Sequence, residues 1–578
     1  MSVRIGNCSG FYGDRLSAMR EMLEGGDLDF LTGDYLAELT MLILGKDTMK
    51  DPKLGYARTF VRQVEDCLGL ALEKGVRIVS NAGGLNPAGL AERLHEVAGG
   101  LGLDVPIAYV AGDDLRSQAA ALGLGEALTA NAYLGGFGIA RALDEGAQVV
   151  VTGRVTDASV VVGPAIHAHG WTDRDHDQLA GAMIAGHVIE CGCQASGGNF
   201  SGFRSLARRG RFNTPIGFPL AEVAADGSCV ITKHEGTGGA VTVDTVTAQL
   251  VYEIQTTRYL GPDVTADLTS IRLTQEGPDR VAITGVRGEA PPEQLKVCVN
   301  ELGGFRNSVE FVLTGLETEA KADWVREQMT AALAPRPPQT VHWSRAAQPH
   351  PDADTEEGAS VLLRCTVLDP DAACVGKPFT GAAVELALAS YPGFTMTGPP
   401  SAPTPYGVYK AHYVPRSAVE HTVHHADGRI EVVADPAEQT TATVEVPEQA
   451  RELAPQGHQV RRVPLGTFVH ARSGDKGGDA NLGLWVARDG TDTDPEAWQA
   501  RVDWLLATIT PTKVRELVPE AVDLDVEVHH LRNLGGVNVL IRGLLGEGVA
   551  SSTRFDPQAK GLGEWVRSRM VTIDEGLL

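Results

Sequence analysis

The sequence predicts an α/β protein with two domains. The large N-terminal domain is expected to be Rossmann-like, with a mainly parallel sheet and an α+β extension, and the small C-terminal domain to be a ferredoxin-like α+β fold. Three features predict this. Within residues 1–235 short apolar runs alternate with helical stretches, within 236–433 the runs become short and closely spaced, and a proline-rich linker at 434–463 sets residues 464–578 apart. Alternating strands and helices favour a parallel sheet, whereas clustered strands favour an α+β fold.

Five apolar runs in the first third predict strands, because each is short, rich in Val, Ile or Leu and bounded by glycine or polar turn residues. They lie at residues 2–5, 28–31, 76–80, 107–110 and 147–151. Helices are expected between them, for example over 15–24 and 88–99. This order indicates βα units and a parallel sheet in residues 1–235.

From residue 236 the pattern changes to short β-like runs, which we interpret as the α+β extension. Strands are expected at 240–243, 249–252, 270–273 and 360–368, a hairpin at 281–288 and a long loop at 334–358. In the C-terminal domain the predicted order is strand, glycine turn, strand, two helices, two strands and a last helix. The segments are 465–471, 481–487, 496–507, 512–517, 529–534, 538–541 and 560–571.

The charge of the chain argues against polyanionic partners. It has 50 Lys and Arg residues against 74 Asp and Glu residues, a net charge of −24 at pH 7. Such a chain repels nucleic acid and anionic membranes unless its bases cluster. The two short basic clusters, at 208–211 and 461–462, are expected to be a solvated turn and a linker end. We therefore expect neither a nucleic-acid nor a membrane partner.

Two further observations bear on location. No apolar run approaches the ~20 residues that span a bilayer. The eight scattered cysteines are typical of a reduced, cytoplasmic protein.

Candidate site residues follow the predicted strands, because ligands of parallel α/β sheets bind beyond the C-terminal strand ends. Asp34, Glu38 and Asp157 are the acid/base candidates there. Arg154 has the chemistry to clamp a carboxylate or phosphate, although a structural salt bridge with Asp157 is the alternative. The substrate-binding candidates of these loops and of a later polar loop are Ser9, Gly10, Asp14, Asn81, Gly83, Gly84, Asn86, Asp113, Asp114 and Asn199. Simple chain reversal is the other interpretation of each glycine turn.

The sharpest motif lies in the C-terminal domain, between two predicted strands at residues 470–481. It packs charged and polar side chains around three glycines, which a plain hairpin does not need. Asp475 and Lys476 are its catalytic candidates. Its substrate-binding candidates are His470, Arg472, Asp479 and Asn481. A self-satisfied charged turn is the alternative.

No metal ligand is assigned from the sequence. The Cys191-Gly192-Cys193 pair lacks a second pair, and the histidines at 421, 424 and 425 are expected to lie in an exposed loop. The nucleophile elbow, the HExxH motif and the phosphate-binding loop are absent as well.

Several motifs together resemble the acyclic terpene utilisation A family. They are the segments 4–10, 80–87, 135–136, 152–159 and 470–481, in that order along the chain. The resemblance covers nearly the whole chain and implies a large N-terminal domain followed by a ferredoxin-like one. It also implies a role in the bacterial catabolism of citronellol and geraniol, which proceeds through branched acyl-CoA thioesters. It transfers no catalytic residue set, so the candidates above come from loop position alone.

The leading hypothesis is a cytoplasmic catabolic enzyme with lyase or hydratase chemistry. Its substrate would be a branched-chain or isoprenoid acid or its CoA thioester. The alternative is a non-catalytic accessory or assembly protein that partners an acyl-CoA carboxylase or dehydrogenase. Polar loops that converge on one hollow would favour the enzyme, and loops scattered over a flat face would favour the accessory protein. We expect a homo-oligomer, and the sequence does not identify a cofactor.

Overall fold

The computed structural model describes residues 2–208, 215–441, 459–488 and 494–578. Residues 209–211 of one basic cluster and 442–458 of the expected linker lie outside these ranges. The chain divides into two compact units, the first comprising Met1–Asn300, Lys410–Gly546 and Gln558–Leu578, and the second Glu301–Tyr409 and Glu547–Pro557. All candidate site residues belong to the first unit. No helix within the described ranges has the length and apolar character needed to cross a membrane.

Residues 3–208 form alternating strands and helices. The strands are β1 (Val3–Asn7), β2 (Phe30–Gly33), β3 (Arg77–Ser80), β4 (Ile107–Ala111), β5 (Thr129–Ala132) and β6 (Val149–Thr152). The helices are α1 (Ala18–Gly25), α2 (Glu38–Lys50), α3 (Arg58–Lys74), α4 (Pro87–Gly100), α5 (Phe137–Asp144), α6 (Ser159–His169), α7 (His176–Ile189) and α8 (Phe203–Arg208). The five strands expected in this region are all present, as β1, β2, β3, β4 and β6.

Residues 219–314 are mainly strands around one buried helix. They form β7 (Pro219–Val223), β8 (Cys229–Lys233), α9 (Val243–Leu250), β9 (Arg258–Leu260), β10 (Thr265–Asp267), β11 (Arg272–Gly277), β12 (Arg280–Thr284), β13 (Arg287–Glu289) and the long β14 (Gln294–Thr314). The second unit continues β14 with α10 (Thr318–Leu333), β15 (Thr340–Ala346), β16 (Ser360–Asp369), α11 (Lys377–Glu385), β17 (Thr395–Met396) and the first part of β18 (Thr404–Pro415), which runs on into the first unit. Its strands β15, β16, β14 and β17 pair antiparallel around a core of their own.

The rest of the first unit consists of two strands at one end of the large sheet and the C-terminal domain. These elements are β19 (Thr422–His424), β20 (Ile430–Val432), β21 (Val460–Pro464), β22 (Val469–Lys476), β23 (Asp479–Val486), α12 (Pro495–Thr508), α13 (Pro511–Leu517), β24 (Val526–Leu531), β25 (Gly536–Ile541), α14 (Leu562–Ser568) and β26 (Met570–Asp574). Strands β22, β23, β25 and β24 form an antiparallel sheet in that order.

The large sheet is mixed, which corrects the prediction of a mainly parallel, Rossmann-like sheet. Its order is β11-β12-β8-β7-β1-β2-β3-β6-β4-β19-β20. Only the central strands β1, β2, β3, β6 and β4 run parallel, and antiparallel strands extend the sheet on both sides. Tight turns suffice to join antiparallel neighbours such as β7 and β8, so these flanks leave no βα signature in the sequence.

Helices cover both faces of the parallel centre. Neighbouring side chains of β3 belong to two different apolar cores, Ile78 to the one shared with α1, α3 and α4 and Val79 to the one shared with α5, α6 and α7. Because successive side chains of a strand point to opposite faces, this places one helical layer on each side of the sheet. The loops at the strand ends are thereby left clear of the helical layers.

Several local predictions for the α+β extension and the C-terminus are wrong. The runs 240–243 and 249–252 belong to the region of α9 rather than to strands, because Thr242 and Thr245 form a reciprocal capping box that starts a helix. The expected hairpin at 281–288 does not form, since β12 and β13 pair with other strands. The expected loop at 334–358 contains β15, and the last helix is shorter than predicted and is followed by β26.

Candidate active site

The ends of the parallel strands are bonded to one another through their polar side chains. Asp34 follows β2, Asn81 follows β3, Asp113 follows β4 and Arg154 follows β6. Asn81 Nδ2 donates to Asp34 Oδ1 at 2.5 Å, and the amide of Leu36 donates to the same oxygen at 3.0 Å. The amide of Arg154 donates to Asp113 Oδ2 at 2.8 Å. The structure thus gathers the strand-end residues that the sequence placed together.

Arg154 is the most deeply buried cation of the site, with only 2% of its surface exposed. Its Nη1 donates to the Leu36 carbonyl at 3.0 Å and lies 3.1 Å from Asp157 Oδ1. Its guanidinium carbon lies 4.4 Å from the centre of the Tyr133 ring. Within the described part of the chain, Arg154 Nε has no hydrogen-bond partner. Arg154 therefore holds the loop at Leu36 in place, and its Nε–H remains available to a ligand.

Three carboxylates meet beside this guanidinium. Oxygens of Asp34, Asp157 and Glu190 lie within 4.8 Å of one another. Glu190 follows α7, and its Oε1 accepts a hydrogen bond from Cys191 Sγ at 3.1 Å. Carboxylate oxygens at this spacing have the chemistry to hold a hard divalent cation such as Mg²⁺ or Ca²⁺. Among the described residues this is the one such group.

Burial and the charges of nearby carboxylates raise the pKa of all three carboxylates. The pKa of Asp34 rises to about 8 because of burial and the nearby Asp157 charge, even though Arg154 and Asn81 lower it. Burial, followed by the charges of Asp157 and Asp34, raises the pKa of Glu190 well above its usual range. Burial also raises the pKa of Asp157, with Arg154 opposing it. The group therefore retains protons at neutral pH when no other cation neutralises it.

Glu38 has the opposite electrostatic environment. It is the first residue of α2, its Oε1 lies 3.7 Å from Lys296 Nζ, and the Tyr133 hydroxyl donates to it at 3.2 Å. Burial alone would raise its pKa, but Lys296, Arg154 and Lys476 together lower the pKa to about 2. Glu38 is consequently ionised at any pH at which the protein is expected to work.

The C-terminal domain contributes a second charged group. Lys560 Nζ lies 3.3 Å from Glu253 Oε1 and 3.5 Å from Asp475 Oδ1, and it donates to the Tyr252 hydroxyl. Burial and the charge of Glu253 raise the pKa of Asp475 to about 7. The Arg472 guanidinium lies over the ring of Tyr252, with its central carbon 4.2 Å from the ring centre.

Lys476, at the end of β22, connects the two groups electrostatically. Its charge acts on Glu38 and Asp157 on one side and on Glu253 on the other. No described residue forms a hydrogen bond or an ion pair with its ammonium group. A half-buried amine of this kind is available to a bound molecule.

Several predicted binding residues instead stabilise the loops themselves. Ser9 Oγ donates to the Phe11 carbonyl at 3.0 Å, and Asp14 accepts from the Gly10 amide at 3.1 Å. A Cβ on Gly10 would lie 2.6 Å from the backbone of Cys191, so glycine is needed where this loop passes the Glu190 segment. Gly83 is similarly close to the Thr152 carbonyl, Gly84 has a φ of +54°, and Asn86 caps α4 through the Gly89 amide at 2.9 Å.

Other candidates have partners other than the three carboxylates. Asp114 pairs with exposed Arg116 at 2.6 Å, and Asp479 pairs with Arg542 at 2.8 Å. Asn199 offers its carbonyl to Arg472 at 3.2 Å, His470 Nδ1 bonds with Ser201 Oγ at 3.0 Å, and Asn481 accepts from the Glu253 amide at 2.7 Å.

Five residues of the site were not predicted from the sequence. They are Glu190, Tyr252, Glu253, Lys296 and Lys560. Lys296 sits in a strand, and Glu190 and Glu253 follow helices, so none lies at the end of a parallel strand. Only the structure marks one of them as unusual: Glu253 has a φ of +54°, a strained backbone conformation that is often found at functional sites.

Comparison with known proteins supports the resemblance seen in the sequence. The description "Acyclic terpene utilisation family protein AtuA" matches residues 3–425, and "AtuA ferredoxin-like domain" matches residues 463–572. The second match confirms the predicted ferredoxin-like C-terminal domain. A search of curated proteins gives no match. Since the first match alone covers more than half of the chain, the protein belongs to the acyclic terpene utilisation family AtuA.

Proposed function

We propose that the protein is a catabolic enzyme that adds water to, or removes it from, a branched-chain or isoprenoid acid or its CoA thioester. Family membership supports a terpene-derived substrate. The observation that carries the chemistry is the separation of carboxyl pKa values within one site, about 8 for Asp34, about 7 for Asp475 and about 2 for Glu38. Environments that push pKa values apart divide acid from base roles.

Asp34 suits the general acid. Its two hydrogen bonds both converge on Oδ1, and no described donor reaches Oδ2, which is left to carry the proton. In dehydration of a β-hydroxyacyl compound, Asp34 protonates the departing hydroxyl as the bond from oxygen to the β-carbon breaks. The hydroxyl then leaves as water, and the proton-transfer distance is set by the rigid loop that Asn81 holds.

Asp475 suits the general base, since its pKa of about 7 leaves a substantial carboxylate fraction at neutral pH. It would take the α-proton while the electrons of the α-C–H bond form the double bond. The negative charge that develops on the acyl oxygen needs a cation, and Lys476 has an ammonium group without an ion-pair partner among the described residues. Hydration runs through the same steps in reverse.

The proposal is tested with a panel of branched 2-enoyl-CoA thioesters, geranyl-CoA among them, and the corresponding free acids. Mass spectrometry in ²H₂O detects both water addition and exchange of the α-proton. We expect kcat/KM to rise with pH through about 7, as Asp475 ionises, and to fall through about 8, as Asp34 loses its proton. Asp475→Asn should abolish the α-proton exchange, and Asp34→Asn should abolish water addition.

Exposed Asp104 provides the matched control, and Asp104→Asn should retain the wild-type rate. Wild-type rates in Asp34→Asn and Asp475→Asn would contradict the assignment of acid and base. If neither reaction occurs with any member of the panel, and the protein instead co-purifies with an acyl-CoA carboxylase or dehydrogenase, the accessory role replaces the enzymatic one.

A further inference from the structure

The segment that follows α9 lies across one face of the C-terminal sheet. In β23 the side chains of Leu482 and Leu484 belong to the domain's own core, so the alternate position Gly483 faces the other way. A Cβ on Gly483 would lie 2.3 Å from a methyl group of Val251, and one on Gly474 would lie 2.5 Å from the Tyr252 ring. The sheet is thus shaped to let residues 251–255 approach its backbone.

Two asparagines hold the backbone of this segment. Asn481 and Asn538 are both fully buried and lie on the neighbouring strands β23 and β25. Asn481 Oδ1 accepts from the Glu253 amide at 2.7 Å, while its Nδ2 donates to Asn538 Oδ1. Asn538 Nδ2 in turn donates to the Gln255 carbonyl at 2.8 Å. Each asparagine therefore uses its oxygen as acceptor and its nitrogen as donor.

Glu253, whose backbone amide Asn481 binds, has a left-handed backbone conformation that needs support from its surroundings. Glu253 has a φ of +54°, in the left-handed region that residues with a side chain rarely adopt. The backbone turn at this position directs the Glu253 carboxylate to within 3.3 Å of Lys560 Nζ. An ordinary φ would send the side chain elsewhere and leave Lys560 with one carboxylate fewer.

We propose that the Asn481–Asn538 pair is a positioning device that holds Glu253 in place for Lys560 and Asp475. The two asparagines do not contact the reacting atoms. The pair acts by bonding the backbone of residues 253–255, because the oxygen of one amide side chain accepts from the Glu253 amide while the nitrogen of the other donates to the Gln255 carbonyl. Its effect on turnover rests on the proposed function, whereas its effect on Lys560 does not.

General docking of the C-terminal domain is the competing explanation, and Asn533 allows the two to be separated. Asn533 Nδ2 also donates from the C-terminal domain to the N-terminal part of the chain, at 2.8 Å to the Leu268 carbonyl and 2.9 Å to the Ile271 carbonyl. Asn533→Ala removes this pair of hydrogen bonds without touching the segment at Glu253. It is therefore the matched control for Asn481→Ala.

The pKa of Lys560 distinguishes the two explanations, because it depends on where the Glu253 carboxylate lies and not on docking of the C-terminal domain alone. Burial lowers the pKa of Lys560, but Glu253 and then Asp475 raise it, so that the net shift is upward. Cys191, Arg472 and the Tyr252 hydroxyl, to which Lys560 donates, are further titratable or charged groups that face it. Loss of an opposite charge at this distance lowers a lysine pKa by about 1 unit or more.

The experiment follows acylation of Lys560 by acetic anhydride as a function of pH, in the full-length protein, by mass spectrometry. We expect Asn481→Ala and Glu253→Gln to move the midpoint to lower pH by about one unit, and Asn533→Ala to leave it at the wild-type value. Should Asn481→Ala fail to fold, Asn538→Ala replaces it, since it removes the partner that orients Asn481.

Three results would overturn the proposal: a wild-type midpoint in Asn481→Ala or its substitute, an equal shift in Asn533→Ala, or no shift in Glu253→Gln. Turnover of geranyl-CoA is measured on the same variants. A shifted midpoint with full turnover would support the positioning role and would show that the Glu253–Lys560 pair is not needed for the proposed reaction. If the wild type itself lacks turnover, the acylation profile decides the positioning role alone.

Discussion

The raised pKa of Asp34 predicts that Asp34→Asn stabilises the protein, and increasingly so as the pH rises. Asparagine resembles the protonated carboxyl group, because its oxygen can still accept from Asn81 and from the Leu36 amide. In the wild type the folded state keeps the Asp34 proton up to a pH of about 8, whereas the ordinary carboxyl value is 3.8. The unfolded chain therefore loses this proton first as the pH rises.

The magnitude follows from proton linkage. Between about pH 4 and pH 8 the folded state binds one more proton than the unfolded state at this site, so wild-type stability falls with increasing pH. The loss is at most about 1.4 kcal/mol per pH unit, or about 2.7 kcal/mol between pH 5 and pH 7. Coupling to Glu190, whose pKa the Asp34 charge also raises, acts in the same direction.

Urea unfolding at pH 5, 6 and 7, followed by circular dichroism, measures this difference. We expect the free energy of unfolding of Asp34→Asn minus that of the wild type to increase steadily over this range. Exposed Asp104→Asn is the control for the substitution itself. A difference that stays constant or decreases from pH 5 to pH 7 would refute the reasoning, because the folded state would then hold no extra proton at Asp34.

Three other substitutions test the remaining charges of the site. Lys476→Met should abolish turnover and lower the melting temperature only moderately, because no described residue pairs directly with its ammonium group, which acts on Glu38 and Glu253 from a distance; a large drop in melting temperature would contradict this. Arg154→Met should destabilise the protein by about 3 kcal/mol or more, as measured by urea unfolding. That loss should be larger at pH 8 than at pH 5, because Arg154 lowers the pKa of Asp34, and an equal loss at both would argue against the coupling. Glu38→Gln should lower the pH at which Lys296 is acylated, since burial already lowers the pKa of Lys296 and Glu38 is the main group that raises it; an unchanged midpoint would refute the pairing.

The parallel centre of the fold could be predicted because its signal is local. Each of the strands β1, β2, β3, β4 and β6 is a short apolar run that ends in glycine or polar residues. The same rule located Asp34, Asn81 and Arg154, since the carboxyl ends of parallel strands meet along one edge. The antiparallel flanks were missed because their pairing joins segments such as β1 and β7, more than 200 residues apart in sequence.

The charged partners of the site could not be predicted for a related reason. Whether a lysine in a strand becomes a counter-ion depends on which strand lies beside it, and Lys296 reaches Glu38 because β14 pairs with β5. Conversely, Asp114 and Asp479 fit the strand-end and hairpin patterns but have arginine partners of their own. A pattern of residue types cannot distinguish a carboxylate that is already neutralised from one that is not.

The distribution of charges suggests why the C-terminal domain belongs to the same chain as the large sheet. Asp34, Asp157 and Glu190 place three carboxylates beside the single charge of Arg154. The C-terminal domain adds Lys476 and Lys560, and hence cations, to a site whose N-terminal part is acidic. Electrostatic stabilisation is strongest when the donors are fixed before the charge develops. A cation delivered on a separate, freely diffusing subunit would have to be ordered at each encounter, whereas the hydrogen bonds of Asn481 and Asn533 fix it in advance.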